Sequence, residues 1–420
     1  MRRPSKDSPR LSAESQRLVS ISNAIVQAAS RVEERTWERH LDAQLQKLLK
    51  TNHQESIDAA LNVLFKGDLA VYDVLMDGVE AVSESSTMTE QKDGVDTTWQ
   101  ALLVAAPVLA WTRFSIASGT IPNDILNTLT AQFSGHLLAE GAQAAIAPTL
   151  YSIDQLPRTH AETYALTHKL AQVAHKGATK AGQMRPAAPG PDTSQFLADT
   201  RYLLVAVVAP QGAPLFRWQE PQHHVNFEAE RDAVLEQWRA QAGPSVARLL
   251  PGCGVELLLP EAYYVACREA DKDIRPVSIR AAVHYLTHTL GVEPNDLRAV
   301  VAGFGDEVND NQVDEYRVGF TLRQSSDVVY GIVWPLYGQE DEEGTPMEGP
   351  AGGGDRPMAP LDEIVKHLNE VGIAHVKRIG ERYVAEYCDD CGAPLFADPS
   401  GELVHAEMPE DTPTGNEHFH

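Results

Sequence analysis

Cys388-Asp389-Asp390-Cys391-Gly392 is the stretch whose spacing carries a sharp chemical meaning. Two thiolates separated by two residues can bind one metal ion from a single tight turn. A glycine after the second lets the backbone adopt positive φ, so that amides point back at the sulfurs. The residues after this turn read as a hairpin. Ala393-Pro394-Leu395-Phe396 is a short apolar run, Asp398-Pro399-Ser400-Gly401 has type I turn chemistry, and Glu402-Leu403-Val404-His405 is the return strand. Closed in this way, the hairpin sets His405 opposite Pro394. That is about three residues, or roughly 10 Å along a strand, from Cys391, a gap that two side chains and a metal can close.

The order Cys-x2-Cys followed by His405 suits a zinc site. The fourth ligand stays open: His418 and His420 end the chain, and Asp389 or Asp390 could also serve. The expected metal set is Cys388, Cys391, His405 and His418, around a structural zinc. The same cysteines can also be inert thiols or a redox pair. Redox chemistry needs a lowered thiol pKa, usually from a helix N-terminus or a nearby cation. Here the intervening aspartates are expected to raise it, no Lys or Arg follows Arg382, and Gly-Ala-Pro suits a knuckle better than a helix.

Weaker candidates lie elsewhere. His284 and His288 share a helix face, opposite the stripe of Val283, Leu286 and Leu290, so they read as exposed. Tyr285 stands where a zinc protease of the His-Glu-x-x-His type needs its glutamate. His223-His224 sits in a loop without a positioned partner. Asp306, Glu307, Asp310, Asp314 and Glu315 crowd a turn but lack the ligand order of an EF-hand, so a solvated turn is expected. Gly303-Phe304-Gly305 is followed by an acidic loop, which argues against phosphate. The glycines from Gly349 to Asp355 lack the Lys and Ser/Thr of a P-loop, and no serine stands in Gly-x-Ser-x-Gly.

Charge narrows the partners. With 35 basic and 59 acidic residues the chain carries −24, which disfavours an extended grip on nucleic acid and docking on anionic membranes. Four cysteines in 420 residues make no disulfide framework, and Cys253 and Cys267, in apolar surroundings, read as buried small hydrophobes. The N-terminus lacks the apolar core of a signal peptide, and Trp99 to Ile121 is interrupted by Pro107 and Arg113. A soluble, cytoplasmic protein is expected.

The cysteine turn needs a scaffold, and the rest of the chain supplies it. Residues 1–13 read as a tail and 14–176 as an all-helical domain. Its signals are Leu18, Ile21, Ile25 and Ala28, then Leu41, Leu45, Leu48 and Leu49, a stripe that can pack on other helices or on a second copy. Asp68 can cap a helix, Ser83 to Val95 reads as a polar connection, and Trp99 to Ile121 as a buried helix kinked at Pro107. Residues 177–195 read as a linker, 196–382 as an α/β domain and 383–420 as a zinc-hairpin tail. In the α/β domain, strands at Tyr202–Val208, Val255–Leu259, Tyr263–Cys267 and Leu297–Gly303 alternate with helices at Glu228–Leu250, broken near Gly243-Pro244, and Val277–Leu290. That order is β-α-β-β-α-β, as in a ferredoxin-like unit. An antiparallel pair at Tyr316–Leu322 and Val328–Trp334, a helix at Leu361–Val371 and a strand within Ala374–Tyr387 complete it. The fold class expected is multidomain α+β with a zinc-ribbon-like C-terminal hairpin.

At Ala105-Ala106-Pro107-Val108-Leu109-Ala110-Trp111 and at Tyr387-Cys388-Asp389-Asp390-Cys391-Gly392-Ala393-Pro394-Leu395-Phe396, the chain resembles an uncharacterised family of bacterial proteins, known as a domain of unknown function. The resemblance spans most of the chain and implies a bacterial, cytoplasmic setting. It brings no activity and no catalytic residues.

The reading that joins these signals is a non-catalytic, zinc-stabilised interaction or assembly protein, forming homo-oligomers through its N-terminal helices. An enzyme with a site between the helical and α/β domains, built on His223, His224, His284 and His288, is the alternative. A thiol-redox regulator using Cys388 and Cys391 is the third.

Overall fold

The computed structural model describes residues 11–92, 95–176, 197–221, 226–306, 313–337 and 358–407. Four helices open the chain: α1 (Ala13–Val26), α2 (Arg31–Lys50), α3 (Gln54–Phe65) and α4 (Leu69–Glu84). Three of them start on a side chain that accepts an N–H of the first turn: Ser12 from Ser15, Ser30 from Glu33, and Asp68 from Val71. Their apolar stripes meet one another. Leu18, Leu45, Leu48, Ile57 and Leu75 are all buried in one cluster, which also takes in Ala161 of a later helix.

The chain then turns to strand, against expectation. β1 (Ser85–Lys92) and β2 (Val95–Trp111) pair as an antiparallel hairpin. The polar connection and the kinked helix expected between Ser83 and Ile121 are both replaced. The cause is burial on two faces. Val104, Ala106, Val108 and Ala110 of β2 face one core, while Ala101, Leu103 and Ala105 face another. A strand covered on both sides loses its polar alternation and reads as a continuous apolar run. Pro107 is tolerated because its carbonyl, which accepts from Leu258 N at 2.8 Å, and its missing N–H both face a break between two short neighbouring strands.

β3 (Gly119–Thr120), α5 (Asn123–Leu137), β4 (Gln143–Ser152) and α6 (His160–His175) come after it, so strands also fall inside the stretch expected to be all-helical. β5 (Ala198–Pro210) pairs with β2 from Trp99↔Pro210 to Trp111↔Ala198, so residues on both sides of the expected linker share one sheet. After α7 (Phe227–Ala247), β6 (Gly254–Leu257) and β7 (Glu261–Ala262) also pair with β2. The strand order is β1-β2-β5-β4-β3, with β6 and β7 beside β2. Leu129, Phe133, Leu235 and Trp238 of α5 and α7 cover one face; Leu170, Ala171 and Ala174 of α6 cover the other. The helix α7 runs through Gly243-Pro244 without the expected break, its face of Trp238, Ala242 and Val246 buried on both sides of the proline.

Tyr263–Cys267, expected as strand, is the start of α8 (Tyr263–Leu290). Tyr263, Ala266 and Ala270 pack on the first sheet at helical spacing. Ile279, Ala282, Val283 and Leu286 of the same helix pack on a second sheet. That sheet holds β8 (Leu297–Gly305), β9 (Glu315–Leu322), β10 (Val328–Pro335) and β11 (His375–Val384), in the order β10-β9-β8-β11. β11 runs parallel to β8, and α9 (Pro360–Glu370) connects β10 to β11. The element order β5-α7-β6-β7-α8-β8 does occur, but its third strand is Glu261–Ala262 where Tyr263–Cys267 was expected, and its strands are divided between the two sheets. The fold is thus a mixture of α and β with a helical N-terminal region. No helix among the described residues is long and apolar enough to cross a membrane.

One face of the second sheet packs on α8 and α9. The other face, Val300, Ala302 and Phe304, is covered by the end of the chain. There β12 (Phe396–Ala397) and β13 (Leu403–Val404) form a two-stranded hairpin. The Phe396 ring lies on Gly331, where a Cβ would stand 2.3 Å from it. This close approach leaves room only for glycine.

Candidate metal centre

The C-terminal hairpin forms with a register one residue from the one expected. Phe396 pairs with Val404 and Ala397 with Leu403. The turn does close from Gly401 N to Asp398 O at 3.1 Å, but Asp398 N then donates to Glu402 O at 2.9 Å. Gly401, at φ +97°, is therefore a bulge residue added to the type I turn. The continued register sets His405 against Leu395 in place of Pro394. Asp398 Oδ1 fastens the turn, accepting from the amides of Ser400, Gly401 and Glu402 and from the Ser400 hydroxyl at 2.7 to 2.9 Å. Burial pushes this carboxyl up, yet those donors together hold it below its usual range.

Upstream, a second small hairpin carries the thiols. Leu395 N donates to Glu386 O at 3.1 Å, Tyr387 bridges to Pro394, and Cys388 N donates to Ala393 O at 2.7 Å. Gly392 N closes the turn on Cys388 O at 2.8 Å, with φ +72° at Gly392. The turn aims the amides of Cys391 and Asp390 at the Cys388 sulfur, and they draw its pKa below the usual thiol value. The Asp390 charge pushes the thiol up, as expected of the aspartates, but the backbone amides outweigh it and the net shift is downward.

The two hairpins bring three ligand atoms together. One atom from each of Cys388, Cys391 and His405 lies within 4.8 Å of the others, and Cys391 Sγ stands 3.2 Å from His405 Nε2. Cys391 and His405 are exposed and Cys388 is half-buried. This group could hold a metal ion. His418 and His420 lie outside the described residues, as do His223 and His224.

A residue that sequence reasoning passed over fastens the knuckle. Arg317, in the middle of β9, has a fully buried side chain. Its Nε donates to Glu315 Oε1 at 2.6 Å, and its Nη1 donates to the carbonyls of Glu386 and Leu395, both at 2.7 Å. The guanidinium lies between two rings, 4.3 Å from the Phe304 centroid and 5.0 Å from that of Tyr387. The available signal was an arginine flanked by Tyr316, Val318 and Phe320 in an otherwise apolar strand. The other end of the hairpin is held by Lys377 Nζ on Pro399 O and by Tyr383 OH on Gly401 O.

Among the described residues, the remaining candidates form no comparable group. His284 and His288 are exposed and stack on one another at 4.1 Å, with His288 Nδ1 2.8 Å from the His284 carbonyl. Asp314 accepts the Asp306 amide at 2.9 Å, while Glu307 and Asp310, like the Gly349–Asp355 stretch, lie outside the described residues. Cys253 and Cys267 are half-buried, and burial pushes the Cys267 thiol up to about 12, so it is inert as a nucleophile. A cavity of about 590 Å³ beside β1 is lined by Ser85, Thr87, Gln100, Leu102, Pro214 and Gln219 among others, and none of its lining residues is ionisable near neutrality.

A family model described as a protein of unknown function (DUF2863) matches residues 3–419. No curated protein and no solved structure matches the chain.

Proposed function

The chain belongs to the DUF2863 family, whose function is unknown, and from that premise we propose a non-catalytic, zinc-stabilised interaction or assembly protein. The observation that carries this reading is the convergence of Cys388, Cys391 and His405 on one point from two separate hairpins. Two thiolates and an imidazole are a soft donor set that suits zinc over calcium or magnesium. Zinc there would join the knuckle to the return strand, at a place where few apolar side chains do so. Water, an aspartate of the knuckle, or His418 would complete the four ligands. The hairpin so built would be a zinc-ribbon-like cap on the second sheet.

A cytoplasmic setting and a homo-oligomer built on the N-terminal helices belong to the same proposal. The Leu18–Leu49 stripe is buried within the chain, so a second copy would meet what remains outside, such as Val32, Phe65 and Leu69. A native mass of 45.9 kDa at micromolar concentration would rule the oligomer out.

Elemental analysis together with thiol titration tests the metal. One zinc per chain is expected, with Cys388 and Cys391 unreactive until a chelator is added. Metal-free protein whose two thiols react at once, even after incubation with zinc, would overturn the reading. It would favour the redox alternative, for which the imidazole 3.2 Å from Cys391 Sγ is the supporting contact.

A further inference from the structure

We infer that Arg317 is the positioning residue of the metal centre, holding the cysteine knuckle in its ligating shape before the ion arrives. The inference rests on the metal reading above and deepens it.

A guanidinium in the middle of a buried strand is expensive. Taking it out of water costs several kcal/mol unless its donors and charge are met, and an apolar side chain of similar volume often stabilises such a site. Arg317 meets that cost only in part. Nε and Nη1 are well bonded, but Nη2 is buried and has no hydrogen-bond partner among the described residues. The sheet by itself would be served as well by Leu or Met. What an apolar residue could not do is hold the knuckle.

Both hydrogen bonds to the knuckle come from a single atom. Nη1 binds the carbonyls of Glu386 and Leu395, and those two residues also bond to each other, Leu395 N to Glu386 O. One nitrogen therefore grips both strands of the hairpin at the rung that closes it. Glu386 is two residues before Cys388, and Leu395 four after Cys391. Between them, Tyr387 lays its ring over the same guanidinium. The loop carrying both thiols is thus tied to β9 by three contacts with one side chain. Without that tie, metal binding must also order the loop, and the ordering entropy comes out of the affinity. Lysine cannot substitute, since an ammonium has no planar face for two rings and no fork to serve Glu315 and the carbonyls together.

The test compares wild type with Arg317→Lys and Arg317→Met, all stripped of metal and then titrated. Zinc affinity is read by competition with a chromophoric chelator. Coordination is read from the thiolate-to-cobalt and d–d bands of the cobalt(II) form. Both variants are expected to bind zinc about tenfold or more weakly, the range seen when groups supporting metal ligands are lost. Their cobalt bands should shift or weaken, while the metal-free Arg317→Met protein melts near wild type.

A purely structural role predicts the opposite: lower melting of the metal-free variants, with zinc affinity and cobalt spectrum unchanged. Affinities within twofold of wild type in a folded variant overturn the inference and leave the zinc reading intact. A wild type that binds no zinc sinks that reading instead. Should neither Arg317 variant fold, Tyr387→Ala, which removes one ring from the guanidinium at the surface, decides the matter by the same two readouts.

Discussion

At one end of the chain, α1 to α4 bury Leu18, Leu45, Leu48, Ile57 and Leu75 among themselves. At the other, the knuckle leaves Tyr387 55 % exposed and Cys391 and His405 at the surface. Both ends are fixed in place, but by different physics. Four helices with matched leucine stripes, joined by Ala161 of α6, close a core in which hydrophobic burial suffices. About twenty residues of knuckle and hairpin cannot do this, because so small a piece has too little interior. Its order is borrowed: from Phe396 lying on Gly331, from the Asp398 carboxylate gathering four donors, from Arg317, and on our reading from an ion. A core is insensitive to chelator and a staple is not, so the two ends should respond to different perturbations.

Leu45→Ala tests the first half of that contrast and should have the largest effect. Leu45 is fully buried, and removing its side chain should cost about 3–5 kcal/mol in urea unfolding. Zinc stoichiometry should stay at wild type. A variant that lost its metal as well would show the two ends to be one cooperative structure, and the contrast would fail.

Acid and base distinguish the ends next. Burial raises the Glu84 carboxyl, at the end of α4, to about 7, with the neighbouring Glu80 adding to the rise and the Tyr264 amide and Arg268 opposing it. A carboxyl that holds its proton more tightly when folded contributes stability that is full below its unfolded pKa. That contribution is lost as pH rises through the folded value. Wild type should therefore lose up to about 3 kcal/mol between pH 4.5 and just above 7 from this group. Glu84→Gln should be flatter across that window by the same amount. Equal slopes for the two proteins would show that Glu84 is solvated.

Metal removal addresses the C-terminal end. With free zinc a hundredfold above its dissociation constant, bound metal should add about 2.7 kcal/mol to stability, and Cys391→Ala should abolish that gain. Hydrogen exchange should locate the change. Chelator should speed exchange in 386–405 and leave 13–84 untouched. Uniform acceleration over the whole chain would contradict a local staple.

How far the sequence revealed each region depends on the kind of signal each one leaves. β8, β9, β10 and α9 were legible because they are short, bounded and periodic. The helical stripes of α1 and α2 were legible for the same reason. β2 was not, since a seventeen-residue strand with small and branched residues inward on both faces has no period to read. Pro107 reinforced the error, because its tolerance depends on β6 and β7 leaving a gap beside it, which is a tertiary fact. Tyr263–Cys267 misleads the other way: its β-branched and aromatic residues favour strand where packing on the first sheet imposes helix. At the metal centre, Cys388, Cys391 and His405 were named from spacing alone and the structure groups them, while Asp389 and Asp390, also offered as ligands, are not part of that group. Arg317 was missed because its tie to the knuckle spans 69 residues of chain to Glu386 and 78 to Leu395.

The register error of one residue leads to the smallest and sharpest test. A four-residue type I turn was expected to end at Gly401; instead Gly401 is an extra residue at φ +97°. It turns the return strand so that His405 meets Cys391. Alanine at this position would be strained by its backbone, and its Cβ would stand 3.2 Å from the Tyr383 hydroxyl that bonds the Gly401 carbonyl. Gly401→Ala should cost about 1–2 kcal/mol. If the bulge aims the imidazole, that strain falls on the metal-bound form, and zinc should bind about tenfold more weakly. Gly380→Ala is the control, on the neighbouring strand β11, where a Cβ meets nothing within 4 Å and φ is not positive. Equal zinc affinity in the two variants would mean that His405 reaches the thiols whatever the turn does. The staple would then depend on the knuckle and Arg317 alone.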